Sequence, residues 1–116
     1  MTKISEGRAI RENFSANGLL AATEADLYTC PALCQAEIDT LICVNPSGGS
    51  TNVVSLYVQP SGGTSRLIAE ESVLAGGKLI GMGEAMKLNE GDKIRGFGTN
   101  ADQVRWFISG VKEYSV

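Results

Sequence analysis

The sequence predicts an all-β domain: an antiparallel β-sandwich, jelly-roll-like, with an extended N-terminal arm. Three observations carry that expectation. Runs rich in β-branched and aromatic residues alternate at period two. Turn residues separate them at intervals of roughly 8–12 residues. The only stretch with helical potential, "EGRAIRENF", is short, contains Gly7 and lacks a strong cap, so a helix there would be marginal. The 116 residues, 43% apolar and 20% charged, suffice for one core. Residues 1–18 are expected to form the arm and residues 19–116 the single sandwich domain.

"LLAAT" (Leu19–Thr23) and "ADLYTC" (Ala25–Cys30) read as two short strands, the second stopped by Pro31. In "AEIDTLICVN", Ala36, Ile38, Thr40, Ile42 and Val44 fall on one face. The other face starts polar with Glu37 and Asp39 and turns apolar at Leu41 and Cys43. "VVSLYVQP" sets Val54, Leu56 and Val58 against Val53, Ser55 and Tyr57. "SRLIAEESVL" and "KLIGM" follow, split by Ala75-Gly76-Gly77. "AMKLNEGDKIRGFGT" gives two strands about the turn Asn89–Asp92. In the last strand, "QVRWFISGVKEY", Val104, Trp106 and Ile108 alternate with Arg105, Phe107 and Ser109. Several strands are apolar on both faces, which predicts outward surface covered by another subunit. Sequential pairing and Greek-key crossing fit the same turns, so the strand order stays open.

A net charge of −3 argues against nucleic acid and against an anionic membrane as partners. The N-terminal stretch has no apolar core of signal-peptide length, and no run approaches a membrane span, so a chain used without its own secretion signal is expected. Cys30, Cys34 and Cys43 form an odd set, expected as reduced, small core residues.

The sequence contains no histidine, which removes the usual Ser-His-Asp and Cys-His sets and most open zinc sites. The repeated Pro-Ser-Gly-Gly, at Pro46–Gly49 and Pro60–Gly63, lacks the lysine and following helix of a phosphate loop. Pro and Gly there supply turn angles. Glu37 and Asp39, two residues apart, are spaced like glycosidase carboxylates, but a solvated edge facing water or a neighbour is the reading preferred. The acidic turn Glu90-Gly91-Asp92 is read as a turn rather than a calcium site. Trp106, Phe107, Phe97 and Tyr57 could stack a sugar, although Trp106 and Phe107 point to opposite faces and one belongs in the core. No catalytic residues, cofactor or metal ligands are therefore assigned, and the chain is not expected to be an enzyme.

The segment "LYTCPALCQAEIDTLICVNPSGGSTNVVSLYVQPSGGT", Leu27 to Thr64, resembles small structural proteins of tailed bacteriophages, in its Leu-Tyr-Thr-x-Pro-Ala opening, its strand ending in Cys-x-Asn and its Val-x-Leu-Tyr-Val strand. "MKLNEGDKIRGFGTNADQVRWFISGVKEY" is similar to the same proteins in its closing strands. "ALCQAE" departs from the family's small turn after Pro-Ala, and Gly81-Met82-Gly83 is looser than the pattern. The resemblance implies a virion component, assembled in the host cytoplasm, most often a homotrimer. A capsid decoration (cement) protein that binds the outside of the head and bridges capsid subunits is the leading expectation. A neck, tail or baseplate adaptor that anchors fibres is the nearest rival, and a host-glycan-binding module a rival of another class. In the arm, Ile4, Arg8, Ile10, Arg11 and Phe14 are the expected contacts to the major capsid protein or to another copy.

Overall fold

The computed structural model describes residues 9–46, 48–80 and 86–115. These form nine strands: β1 (Ala9–Leu19), β2 (Ala25–Thr29), β3 (Cys34–Val44), β4 (Asn52–Gln59), β5 (Arg66–Val73), β6 (Lys78–Ile80), β7 (Met86–Leu88), β8 (Lys93–Gly98) and β9 (Arg105–Ser115). No helix occurs among the described residues. One sheet runs β1-β9-β3, and β6 and β7 pair in series along the far side of β3. The other runs β2-β8-β4-β5. All pairs are antiparallel. With β6 and β7 counted as one position beside β3, this is an eight-position jelly roll, so the strand order that the turns left open is the Greek-key one.

The two sheets bury their facing side chains. Ile38, Leu41, Leu56, Ile94 and Ile108 are fully buried between them, with Leu20 closing one end. Both Pro-Ser-Gly-Gly copies are reversals: the Gly63 amide donates to Pro60 O at 2.9 Å, and Gly48 and Gly62 take φ of 88° and 73°. These angles favour glycine, as the third position of a type II turn requires. Asn45 and Asn52, both fully buried, tie the β3–β4 connection to its surroundings. Asn45 Nδ2 donates at 2.8 Å to both Ser50 O and Val73 O. Asn45→Ala would leave both carbonyls without that donor, and urea unfolding is expected to show a loss of about 1–3 kcal/mol.

Two expectations are corrected. The arm boundary at residue 18 falls inside a strand. Ile4 and Arg8 lie outside the described residues, but Ile10, Arg11 and Phe14 belong to β1, which pairs with β9 from Ala9↔Ser115 to Leu19↔Arg105. Of the strand expected at 19–23, Leu19 ends β1 and residues 20–23 belong to the loop that follows it. This stretch is polar by itself, and β9 supplies what it lacks. Glu113 takes Arg11 as an ion-pair partner, and Tyr114 OH donates to Glu12. Phe14 stacks on Tyr28 at 4.7 Å between ring centroids, and the Trp106 indole lies over Gly18, whose added Cβ would sit 3.1 Å from the ring.

The second correction concerns β3. Its register against β9 slips between Ile38 and Thr40, so Asp39 is the extra residue of a bulge. A bulge turns the following side chains over. Ala36 and Ile38 face the core, but beyond the bulge Leu41 and Cys43 do, while Ile42 and Val44 face outward. Gly110 stands opposite the bulge, and a Cβ there would land on the Glu37 carbonyl oxygen.

Candidate functional site

The outward turn of Ile42 and Val44 builds an apolar surface on the β1-β9-β3 sheet. On the outer face of the β1-β9-β3 sheet, Asn17, Phe107 and Ile42 lie side by side across three strands, and Leu19, Arg105 and Val44 form the next row. Laterally adjacent residues in such rows are in contact distance. Leu19, Phe107 and Val44 are 44%, 41% and 43% exposed, with Ile42 half-buried between them. Arg105 stands within this patch, between Leu19 and Val44, and Lys78 on β6 lies opposite Val44 at its edge. Along the same face the rows become polar at Ser15, Ser109 and Thr40, then charged. There a groove of about 450 Å³ is lined by Arg11, Glu37, Lys87, Val111 and Glu113 among others.

The outer face of the other sheet exposes Val53 and Leu67 as well, beside a cluster of charges that satisfy one another. Arg95 donates to Glu24 at 2.6 Å and to Asp26 at 2.7 Å, and Lys93 reaches the other oxygen of Asp26 at 3.1 Å. Ser65 Oγ donates to Glu24 at 2.6 Å. The Lys93 hydrogen bond, and after it that of Arg95, hold the Asp26 carboxyl below the usual carboxylate range. Tyr57 and Phe97 stack beside this network with centroids 6.1 Å apart.

The residues singled out in the sequence fall into place individually. Trp106 faces inward and is buried, so it is removed from any sugar platform, whereas Phe107 faces outward. Glu37 faces outward with Lys87 across the ladder, and the bulge at Asp39 breaks the regular spacing that put both carboxylates on one face. Both oxygens of Asp92 accept backbone amides, from Ser61 and from Asn89, each at 2.9 Å, so the acidic turn is held by its own carboxylate. Cys30, Cys34 and Cys43 are free and buried. Burial pushes the Cys30 thiol up to about 11 and the Cys43 thiol up to about 12. A thiol held protonated is a poor nucleophile and a poor metal ligand. The apolar patch itself went unnamed in the sequence. Its trace there is the run Leu41-Ile42-Cys43-Val44, apolar on both faces, which predicts a covered outer surface without saying which residues make it.

The chain superposes on solved structures over nearly all of its length. A chain of the Bacillus endospore appendages, which form disulfide-linked pili, matches with a TM-score of 0.56 at 14% identity, over 100% of this chain and 97% of that one. A chain of the T13 particle of IBDV, infectious bursal disease virus, matches with a TM-score of 0.55 at 8% identity. That match covers 96% of this chain but 32% of the viral one, so this protein spans about a third of it. The likeness is one of fold. No protein-family model matches the sequence, and no curated protein matches it either.

Proposed function

We propose that this protein is a structural subunit of a virus particle, a decoration (cement) protein of the bacteriophage type that binds the outside of the head and bridges capsid subunits. Its copies associate through the outer face of the β1-β9-β3 sheet, in the trimer that the phage resemblance implies. The observation that carries this reading is the apolar patch of Leu19, Ile42, Val44 and Phe107 on a sheet face that has no covering layer among the described residues. An apolar cluster with a polar rim is the usual mark of a protein–protein contact. Both fold neighbours are subunits of repeating assemblies, a pilus and a virus particle, which supports assembly as the role. Cross-linking of the pilus kind would need an exposed thiol. All three cysteines of the sequence are buried, so disulfide cross-links of that kind are not expected here.

Phe107→Glu places a charge at the centre of the patch without touching the core. The expected result is a fall in solution mass by light scattering and loss of attachment to purified phage heads, with unchanged far-UV circular dichroism. Unchanged mass and full occupancy would overturn the proposal. Copy number per particle separates decoration from a neck or tail adaptor: many copies distributed over the shell support the first, a single ring the second.

A further inference from the structure

A jelly roll has four sheet edges, and three of them here carry devices that block further pairing. β5 is interrupted at Ile68, where the register passes from Leu56↔Ala69 to Tyr57↔Leu67, and it carries Arg66, Glu70 and Glu71. β2 has five residues and its own slip between Asp26 and Tyr28, with Pro31 shortly after. β6 and β7 carry Lys78 and Lys87. Short length, bulges, prolines and charges are the means by which proteins keep edges from adding strands.

β1 is neither short, bulged nor interrupted by proline, and its charges are confined to Arg11 and Glu12 at one end. It is eleven residues long, its register against β9 runs without a slip, and it contains neither proline nor lysine. Its two charges are engaged by β9, Arg11 by Glu113 and Glu12 by Tyr114, which leaves Asn13–Leu19 uncharged. Among the described residues no strand pairs with its other side. At about 3.4 Å per residue the edge offers roughly 37 Å of backbone donors and acceptors.

We propose that this edge pairs with β1 of a second copy, antiparallel about a two-fold axis perpendicular to the sheet, so that two sandwiches share one continuous sheet. The sequence of β1 is compatible with itself in that arrangement. An axis at Phe14 overlaps Ala9–Leu19 along its full length and keeps each face matched. It sets Asn13 against Ser15 and Arg11 against Asn17 of the second copy on the outer face, and Glu12 against Ala16 on the inner one, with no like charges opposed. The contact rests on the assembly reading above but uses a different surface, and it leaves the patch around Phe107 free for the next contact.

The test is solution mass by light scattering for the wild type, for Asn13→Lys/Ser15→Lys and for Phe107→Glu. The lysine pair sets ammonium groups opposite one another on both sides of the axis, and both positions are exposed. The expected result is a two-fold fall in mass with an unchanged circular dichroism spectrum. Equimolar mixing with Asn13→Glu/Ser15→Glu restores the wild-type mass. A wild-type monomer, or a folded lysine pair of unchanged mass, overturns the edge contact. If Phe107→Glu alone lowers the mass, the edge falls and the patch stands; if the lysine pair alone lowers it, the reverse holds. Hydrogen exchange of the wild type adds a readout that needs no variant: β1 amides gain protection as concentration rises, and rapid exchange of alternate β1 amides at every concentration overturns the pairing.

Discussion

Gly110→Ala is expected to destabilise the fold more than any other single-methyl addition named here. The new Cβ would meet the Glu37 carbonyl oxygen, with the carbonyl carbon 3.0 Å away and Ile38 Cα 3.1 Å away. These are backbone atoms, so no rotamer change relieves the clash. Either the β3 bulge is lost or β3 and β9 separate. Losing the bulge would return Leu41 and Cys43 to the outer face and bring Ile42 and Val44 inward. Ordinary overpacking costs about 1–3 kcal/mol, and a backbone clash at the longest inter-strand ladders exceeds that, on the order of 4 kcal/mol. Gly48→Ala is the matched control. Nothing lies within 4 Å of its added Cβ, but φ is 88°, so only the left-handed strain of about 1–2 kcal/mol applies. Urea unfolding of the two variants should separate them clearly. A Gly110→Ala protein within 1 kcal/mol of wild type would show that β3 and β9 are not paired in this register.

Trp106→Ala is the second large effect, a loss of about 3–5 kcal/mol. The indole is almost wholly buried and packs over Gly18, so its removal leaves a cavity bounded by β1 and β9, which surrounding strands cannot fill without breaking ladders. Phe107→Ala, one residue along, faces outward and should change stability by about 0.5 kcal/mol or less. The contrast between neighbours isolates the inward turn of one ring from chemistry common to both. Trp106 is the chain's single tryptophan, so its emission also reports on the wild type: blue-shifted when folded, moving to the red on unfolding. A stable Trp106→Ala protein that had lost sugar binding would instead restore the glycan platform.

The two variants also mark where sequence and tertiary structure divide. Period-two alternation around Val54, Leu56 and Val58, and around Val104, Trp106 and Ile108, is legible because each strand keeps one face in the core throughout. The turns are legible for a different reason. Pro-Ser-Gly-Gly and Asn-Glu-Gly-Asp encode their backbone angles locally, and the structure places glycines at φ of 73° to 88° in them. β3 misleads because a bulge is a relation between two strands. Nothing within "AEIDTLICV" shows that Gly110, some seventy positions on, leaves room for the Glu37 carbonyl. β1 was hidden for a similar reason. Its inward positions include Glu12 and Gly18, which break the apolar pattern, and they are accommodated by Tyr114 and Trp106 on β9.

By itself, then, the sequence determined an all-β sandwich, the chemistry of its reversals and the placing of three cysteines in an apolar core. Those properties depend on the local backbone angles of glycine and proline and on the burial of apolar side chains, both of which are written along the chain. Only the tertiary structure decided the jelly-roll order, the inclusion of β1 in the sheet, the inversion of β3 and hence the outward patch of Ile42, Val44, Phe107 and Leu19. Each of these is set by which strand lies alongside which. Strand pairing depends on backbone hydrogen bonds and close approaches between residues far apart in the chain, and these leave no periodic mark on either partner alone.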